Sequence, residues 1–385
     1  MPEPIVRWFD GDSIAACPWN DSHESEFLQK YWLPMMRDGA THYTANLHTE
    51  LGILQVDNHL LPITINQDNY DSSYVCSPFT HFVSYAIVEL RELERPLLEW
   101  LLKGILHGVG VFLKWGRINR VVHINNWLLS TNLYPNLSTA QIHAILAFMK
   151  VQFPSHAHVF RSVNTRTCAS LLDSLGQARA RLVATRQVYI FPGTSLNSLN
   201  KRQRRELRKD RALLQNQGYE CVPQSELTDE EIDRCVALYN ALYIEKYSEL
   251  NPQFTRAWMH LVIREGAMVV FALKKEGRID AVLGYFHIEN VLTTPLFGYD
   301  TTVPQEIGLY RMLSALTLEQ AFAHGLIDHA SSGVAGFKRN RGYQPAIEYS
   351  GVASRHLPLR QRLPWQILEW LTQHIGVPLL QRFKL

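Results

Sequence analysis

"MVVFALKKEGRIDAVLGYFHIENVLTTPLFGYD" (residues 268–300) reads as three strands in succession. Met268–Lys274, Ile279–Glu289 and Val291–Tyr299 are rich in β-branched and aromatic residues, and Glu276-Gly277 and Glu289-Asn290 mark tight turns between them. After this meander the pattern changes. Helical spacing runs from about Ile307 to Gly325, followed by a short strand, "LIDHAS" (326–331), and a helical turn, "VAGFKRNRGY" (334–343). A further strand, "IEYSGV" (347–352), and an amphipathic C-terminal helix complete the chain. An antiparallel meander followed by alternating helix and strand builds a mixed sheet, so the fold class is α/β of the α+β mixed-sheet kind.

Ahead of the meander lies "LNKRQRRELRKDRALLQNQGYE" (199–220), the densest run of positive charge. Leu199, Leu207 and Leu214 recur at about two-turn spacing, which predicts one thin apolar stripe on an otherwise solvated helix. Glu206 and Asp210 are placed for i,i+4 pairing among the bases, and Gly218 stands at a plausible C′ position. Thr228 and Glu231 form a capping box for a helix to about Tyr247, and another helix follows "NPQF".

The first half shows a similar order. "THYTANLHTELGILQVDNHLLPITIN" (41–66) alternates polar and apolar residues about a turn at Asp57-Asn58. Helical spacing runs from about Ser84 to His107, while "VGVFLKW" (109–115) and "RVVHINNWLLST" (120–131) read as strands. Asp21 with Glu24, and Ser138 with Gln141, are capping boxes, the second opening a helix to about Phe153. "AHVFRSVN" (157–164) and "ARLVATRQVYIF" (180–191) read as strands around a short helix, "CASLLDSLG" (168–176). "PGTS" (192–195) is the expected join, giving domains 1–191 and 192–385 with an element order that resembles a duplication.

Composition narrows the function classes. The 385 residues are 46% apolar and 19% charged, as in a folded globular protein. A formal charge of +2 excludes a polyanion binder by bulk charge, so any electrostatic footprint is local. The five cysteines are scattered without CxxC spacing, which predicts reduced thiols in a cytoplasmic protein. The N-terminus lacks a basic region followed by an apolar run, and no apolar stretch has the length of a membrane span. Walker, nucleophile-elbow and GxGxxG patterns are absent, and His156-x-His158 has no evident third metal ligand, so no metal is expected.

Four stretches of the second half resemble the GNAT superfamily, in particular its FemABX-type transferases and BioF-associated acetyltransferases. They are the basic helix with its following strand (198–220), the helix and meander ending in Tyr299-Asp300 (251–300), the loop and helix "VPQEIGLYRMLSALTLEQAFAHGLIDHASSG" (303–333), and the turn "GFKRNRGYQP" (336–345). The first half resembles, more weakly, the degenerate N-terminal copy of tandem GNAT proteins. The resemblance implies two related mixed-sheet domains, the second of them an acyltransferase.

It also implies roles for residues. The family's pyrophosphate loop corresponds to Gln305-Glu306-Ile307-Gly308-Leu309-Tyr310, where free backbone N–H groups would hold the phosphates of acyl-CoA. Gln305 and Gly308 fit, while Tyr310 departs from the small residue expected. Asp300 is the first candidate for the general base, followed by His287 and Glu289, which strand alternation places on one face. The alternatives are an Asx-type turn for Asp300 and a satisfied core histidine for His287. Tyr299 would contact substrate. Lys338 stands where many relatives have an acidic tyrosine, and would neutralise phosphate or thiolate charge; the alternative is a solvated basic turn. Arg161 and Arg186 lie within predicted strands, where a charge needs a partner or faces a cleft. They would bind an acidic donor or acceptor between the halves, or form a salt bridge at the joint.

The function implied is transfer of an acyl group, in some natural-product relatives a fatty acyl group, from acyl-CoA or an acyl carrier protein thioester. The acceptor is a small amine, an amino acid, or a Lys- or ornithine-type side chain of a peptide. Two alternatives stand beside it. One is an aminoacyl-tRNA-dependent FemABX-like transferase; the other is an inactive GNAT scaffold or RNA-binding module.

Overall fold

The computed structural model describes residues 3–90 and 95–383. Its strands are β1 (Val6–Phe9), β2 (Glu50–Val56), β3 (His59–Asn66), β4 (Val121–Ile124), β5 (Ala157–Asn164), β6 (Arg181–Phe191), β7 (Glu220–Pro223), β8 (Val269–Lys275), β9 (Arg278–Ile288), β10 (Val291–Tyr299), β11 (Ile327–His329) and β12 (Gln344–Ala353). Among its helices are α1 (Pro96–Trp115), α2 (Thr139–Gln152), α3 (Ala169–Gln177), α4 (Lys201–Asn216), α5 (Asp229–Asn240), α6 (Arg256–Ile263), α7 (Leu309–Ala323), α8 (Ala335–Asn340) and α9 (Leu359–Leu371).

The chain divides into two compact units. Of the described residues, unit 1 comprises 3–90, 95–186, Leu250–Pro252 and Ile347–Phe383; unit 2 comprises Gln187–Glu249 and Gln253–Ala346. This division differs from the expected 1–191 and 192–385. The long strands β6 and β12 each contribute residues to both units, so no single cut in the sequence separates them.

In unit 1, β1, β2, β3 and β4 pair antiparallel in turn, β4 pairs parallel with β5, and β5 pairs antiparallel with β12. In unit 2 the same scheme recurs: β7 to β10 are antiparallel, β10 is parallel to β11, and β11 is antiparallel to β6. The repeat expected from element order is therefore present in the strand pairing. Each sheet is closed by a strand drawn from the other half of the sequence.

In unit 1, one sheet face buries Phe160 and Val163 beneath Ile142, Ile145 and Met149 of α2 and Leu175 of α3. The other packs Val121 and Val159 with Leu113, Trp365 and Leu368. Here "VGVFLKW" is not a strand. It forms the last two turns of α1, because Leu113 is buried and a Cβ at Gly110 would lie 3.4 Å from Phe79 and Val83, so helical packing overrides local β propensity. The helix expected from Ser84 to His107 is instead Tyr85–Glu89 and α1; its residues 91–94 lie outside those described. "RVVHINNWLLST" is a strand only over β4 and then a buried loop, and the first capping box is replaced by Ser22, which accepts from Ser25 N–H.

In unit 2, Met312, Leu313 and Leu316 of α7 pack with Leu214 of α4 on Leu273, Leu283 and Phe297 of the meander. The capping boxes Asn200–Gln203 and Thr228–Glu231 open α4 and α5. The basic helix buries Leu207 and Leu214 as its stripe predicts, and also Asp210, which is 1% exposed. Asp210 is not an i,i+4 surface partner. It accepts from Arg311 of α7 at 2.7 Å and from Arg341 after α8 at 2.6 Å. Glu206 takes the surface role, pairing with Lys209 at 2.9 Å.

Asp210→Ala leaves two guanidiniums without their buried carboxylate and is expected to lower the unfolding free energy by about 3–5 kcal/mol. Glu206→Ala removes an exposed pair and is expected to change it by less than about 1 kcal/mol. Urea unfolding of the two variants checks the contrast.

Candidate active site

The meander of unit 2 leads to an opening in the sheet. β10 pairs with β11 only at Val291↔Ile327, Leu292↔Asp328 and Thr293↔His329. β11 then ends, while β10 continues to Tyr299 with β9 alone beside it, after a register shift between Thr293 and Leu296. The two parallel strands thus part after three residues, and Leu292, Thr293, Asp328 and His329 at the parting are all buried. Thr293 Oγ1 donates to the His329 carbonyl at 3.1 Å, at the point of parting.

Several polar groups cluster at this point. Asp328 is fully buried, and its Oδ2 accepts a short hydrogen bond from the Tyr343 hydroxyl. Its Oδ1 is buried and has no hydrogen-bond partner among the described residues. Burial pushes the Asp328 carboxyl up to about 6, opposed by the Tyr343 hydrogen bond and the charge of Lys338. Lys338 is buried as well; its Nζ donates to the Ala330 and Ser332 carbonyls at 2.7 Å each and lies 5.6 Å from the Tyr189 ring centre. It is thus an interior group of the α8 turn rather than a solvated one.

The loop into α7 forms one wall. Gln305–Ile307 is a 3₁₀ turn, and Gly308 adopts a left-handed conformation (φ +83°) as the residue before α7. A Cβ at Gly308 would lie 2.7 Å from Leu213, so both conformation and space demand glycine there. No side chain caps the first turn of α7, leaving its N–H groups and the positive end of the helix dipole for a ligand. Gln305 is exposed and Leu309 is buried in the core, so the side chain of Leu309 is excluded as a ligand contact and its backbone N–H is what it offers. Tyr310 fills an aromatic wall: its ring centre is 5.3 Å from Phe297, 6.3 Å from Tyr299 and 4.9 Å from Phe337.

The expected bases occupy other settings. Asp300 lies 7% exposed in side chain, ion-paired with Arg234 at 2.6 Å and with Arg278, and it accepts from Thr302 Oγ1 at 2.6 Å and Thr302 N–H at 2.9 Å. Burial opposes its ionisation, but the Thr302 bonds and Arg234 outweigh it and hold the carboxyl below its usual range. A carboxylate so stabilised is a weak proton acceptor, and the Asx-type turn raised for it is present. His287 and Glu289 sit at the β9–β10 hairpin end rather than the open end of β10. Glu289 has φ +51° in the turn, outside β9, so strand alternation does not extend to it. His287 Nδ1 contacts the Glu289 carbonyl at 3.4 Å.

Arg161 and Arg186 lie together within unit 1. Arg186 binds both oxygens of Glu348, at 2.9 and 3.2 Å, which is a structural salt bridge. His156 and His158 contact Gln67 and the Phe153 carbonyl, and among the described residues no group of three or more His, Cys, Asp or Glu could hold a metal ion. Among the described residues no helix is long and apolar enough to cross a membrane.

Asp328 and His329 escape a reading based on family positions. The signal was available: "LIDHAS" carries a carboxylate and an imidazole within a short strand, the same anomaly that singles out Arg161 and Arg186.

Residues 201–339 match the family model of the acetyltransferase (GNAT) domain. Similar solved structures include the C-terminal domain of a putative lysylphosphatidylglycerol synthetase from Agrobacterium fabrum, at 16% identity and TM-score 0.43, covering 59% of this chain and 77% of that one. L-PGS from Bacillus licheniformis is similar at 14% identity and TM-score 0.42, covering 60% and 77%. FemX is similar at 10% identity and TM-score 0.44, covering 60% and 79%. No curated protein sequence matches the chain. Within this mixed α/β chain the match to the acetyltransferase (GNAT) domain is thus confined to residues 201–339.

Proposed function

We propose that unit 2 is an N-acyltransferase that moves an acyl group from a thioester, acyl-CoA or an acyl carrier protein, onto a primary amine. The observation that carries this reading is Asp328 Oδ1, a buried carboxylate oxygen with no partner among the described residues, where β10 and β11 part. An amine nitrogen bonded to that oxygen would satisfy it. A carboxyl whose proton affinity is raised to about 6 is also matched to taking a proton near neutrality. The uncapped first turn of α7 would hold the pyrophosphate of the donor through the N–H groups of Leu309 and Tyr310, with Gly308 permitting close approach. Gln305, on the turn before it, would contact the same phosphates.

The reaction is a direct attack. The amine nitrogen bonds to the thioester carbonyl carbon, a β10 backbone N–H stabilises the oxyanion, and the carbon–sulfur bond breaks. Asp328 takes the proton lost by nitrogen, and the charge of Lys338 favours the departing thiolate. Tyr299 with Phe297 and Tyr310 would line the acyl path. Asp300 fixes the end of β10 to α5 through Arg234. The acceptor is a small amine, an amino acid or a Lys- or ornithine-type side chain.

One observation favours a second reading. The α4 face exposes Arg202, Arg205 and Arg208, and none of the three has a carboxylate within salt-bridge distance among the described residues. Such a stripe suits the phosphates of an aminoacyl-tRNA donor.

Purified protein with an amine pool is expected to release free thiol from acyl-CoA of some chain length, and Lys338→Met to lower kcat/KM by about 10²-fold. Absence of turnover across all chain lengths would sink the thioester reading. Ribonuclease-sensitive transfer of a labelled amino acid, weakened by alanine at Arg202, Arg205 and Arg208, would replace it with the second. No transfer from either donor would leave an inactive scaffold.

Asp328→Asn is expected to cut turnover by about 10²–10⁴-fold. Its effect on stability has the opposite sign. Asp328 binds its proton more tightly folded than unfolded, so folding is favoured as pH falls through about 6 and the ionised carboxylate costs up to about 3 kcal/mol above it. By calorimetry the variant should melt above its parent at about pH 8, with the gap closing toward about pH 4. A gap independent of pH would refute the assignment.

A further inference from the structure

Unit 1 carries a basic groove that the transfer reaction does not use. It has a volume of about 260 Å³ and is bounded by the C-terminal half of α2, the turn after α3 and the end of β12. Six of its lining residues are basic: His143, Lys150, His158, Arg179, Arg355 and His356. No aspartate or glutamate lines it. His143, Ala147 and Lys150 recur along one face of α2 at i, i+4 and i+7. His158 comes from β5, where it pairs with Val122 and Ala353. The groove thus lies where β4 and β5 are paired, not beyond the end of β4, where they part.

The fixed charges here have no counter-ions within the fold. Lys150, Arg179 and Arg355 are exposed, and none has a carboxylate within salt-bridge distance among the described residues. Burial brings His158 down to about 3 and holds His356 below its usual value, so both imidazoles are neutral near neutrality. The side chains that act on them electrostatically are basic too: Lys150 on His356, and His356 and His156 on His158. The two rings stack with centres 4.6 Å apart. His158 Nε2 lies 3.3 Å from the Phe153 carbonyl and His356 Nε2 2.9 Å from the His156 carbonyl. The C-terminal end of α2 opposes this field, but a helix end counts as about half a charge against three whole ones.

One of the three cations is held in a strained backbone. Arg179 takes φ +56° directly after α3; its N–H donates to the Gly176 carbonyl and the Ala180 N–H to the Leu175 carbonyl, each at 2.9 Å. Glycine occupies this kind of helix stop without strain. A guanidinium lining the groove stands there instead.

Cations gathered around one groove of this size repel metal ions and concentrate an anion. A monocarboxylate would offset one charge of the three. A phosphate monoester brings about two negative charges and three acceptor oxygens, which suit guanidinium forks and an ammonium together. Leu146, Ala147 and Ala353 add small apolar surface for the body of such an ester. An oligonucleotide would need an extended track rather than a single groove.

We propose that this groove of unit 1 binds a soluble phosphate monoester, the phosphate among Lys150, Arg179 and Arg355 and a small apolar body against Leu146 and Ala353. The site rests on no step of the transfer reading.

Calorimetric titration of the full chain with phenyl phosphate tests it, beside inorganic phosphate, benzoate, an oligouridylate and vesicles containing phosphatidic acid. Phenyl phosphate is expected to bind saturably and about 10-fold tighter than inorganic phosphate or benzoate. Lys150→Met and Arg355→Met should each weaken that binding about 10-fold, the loss of one charge-assisted contact. Arg179→Gly should weaken it as much, while the unliganded variant melts no lower than its parent because the helix stop is relieved of strain. Phosphate held at the first turn of α7 would not respond to these variants, which tells the two sites apart. The proposal is overturned if phenyl phosphate does not bind, if inorganic phosphate or benzoate binds as tightly, or if the oligouridylate or the vesicles are preferred. It is equally overturned if the three variants bind as their parent does, or if Arg179→Gly melts lower.

Discussion

The carboxylate of Asp210 holds unit 2's helical layer in place. It projects from the basic helix α4 and receives Arg311 from α7 and Arg341 from the turn after α8. One buried anion therefore sets α4, the helix α7 whose first turn has no side-chain cap, and the segment that carries Lys338. Leu207 and Leu214 supply the apolar contact on either side of it. Burying a carboxylate at 1% exposure is favourable only because two guanidiniums share it. That mutual dependence fixes the spacing of the three segments.

Two other aspartates of unit 2 illustrate how environment separates roles. Asp300 and Asp328 are both buried carboxylates near the ends of strands. Asp300 has two arginines and two hydrogen bonds from Thr302, so its charge is fully compensated and its proton affinity is low. Asp328 has one tyrosine hydroxyl, one open oxygen and the more distant charge of Lys338, so burial dominates and its proton affinity rises. The two carboxylates differ by their neighbours, which come largely from segments far apart in the chain.

Much of unit 2 was legible beforehand. The three-stranded meander, its two turns, the Thr228 capping box, the Gly218 stop and the short "LIDHAS" strand all follow from local rules and are present. The special place of Gly308 was also legible, and its left-handed backbone against Leu213 explains it. Less was legible in unit 1, where "VGVFLKW" has strand-like composition but completes α1. Its neighbours, Phe79 and Val83, decide the matter, and no local pattern announces them. Asp300 is legible by its place after an aromatic strand, yet Arg234 and Arg278 that neutralise it lie on another helix and the preceding strand. Nothing local marks the role of Asp328, because burial, the property that sets its proton affinity, is not written in a six-residue strand.

The sequence by itself determined what depends on near neighbours: strand and helix periods, capping boxes, tight turns, and a basic helix with one apolar stripe. Only the tertiary structure decided which strand closes which sheet, since β6 and β12 pair with partners well over a hundred residues away. It alone also decided which buried charges are satisfied. Hydrogen bonding and desolvation act over a few ångströms in space, and the groups that answer Asp210, Asp300, Asp328 and Arg161 are brought within that range by the fold rather than by the order of residues.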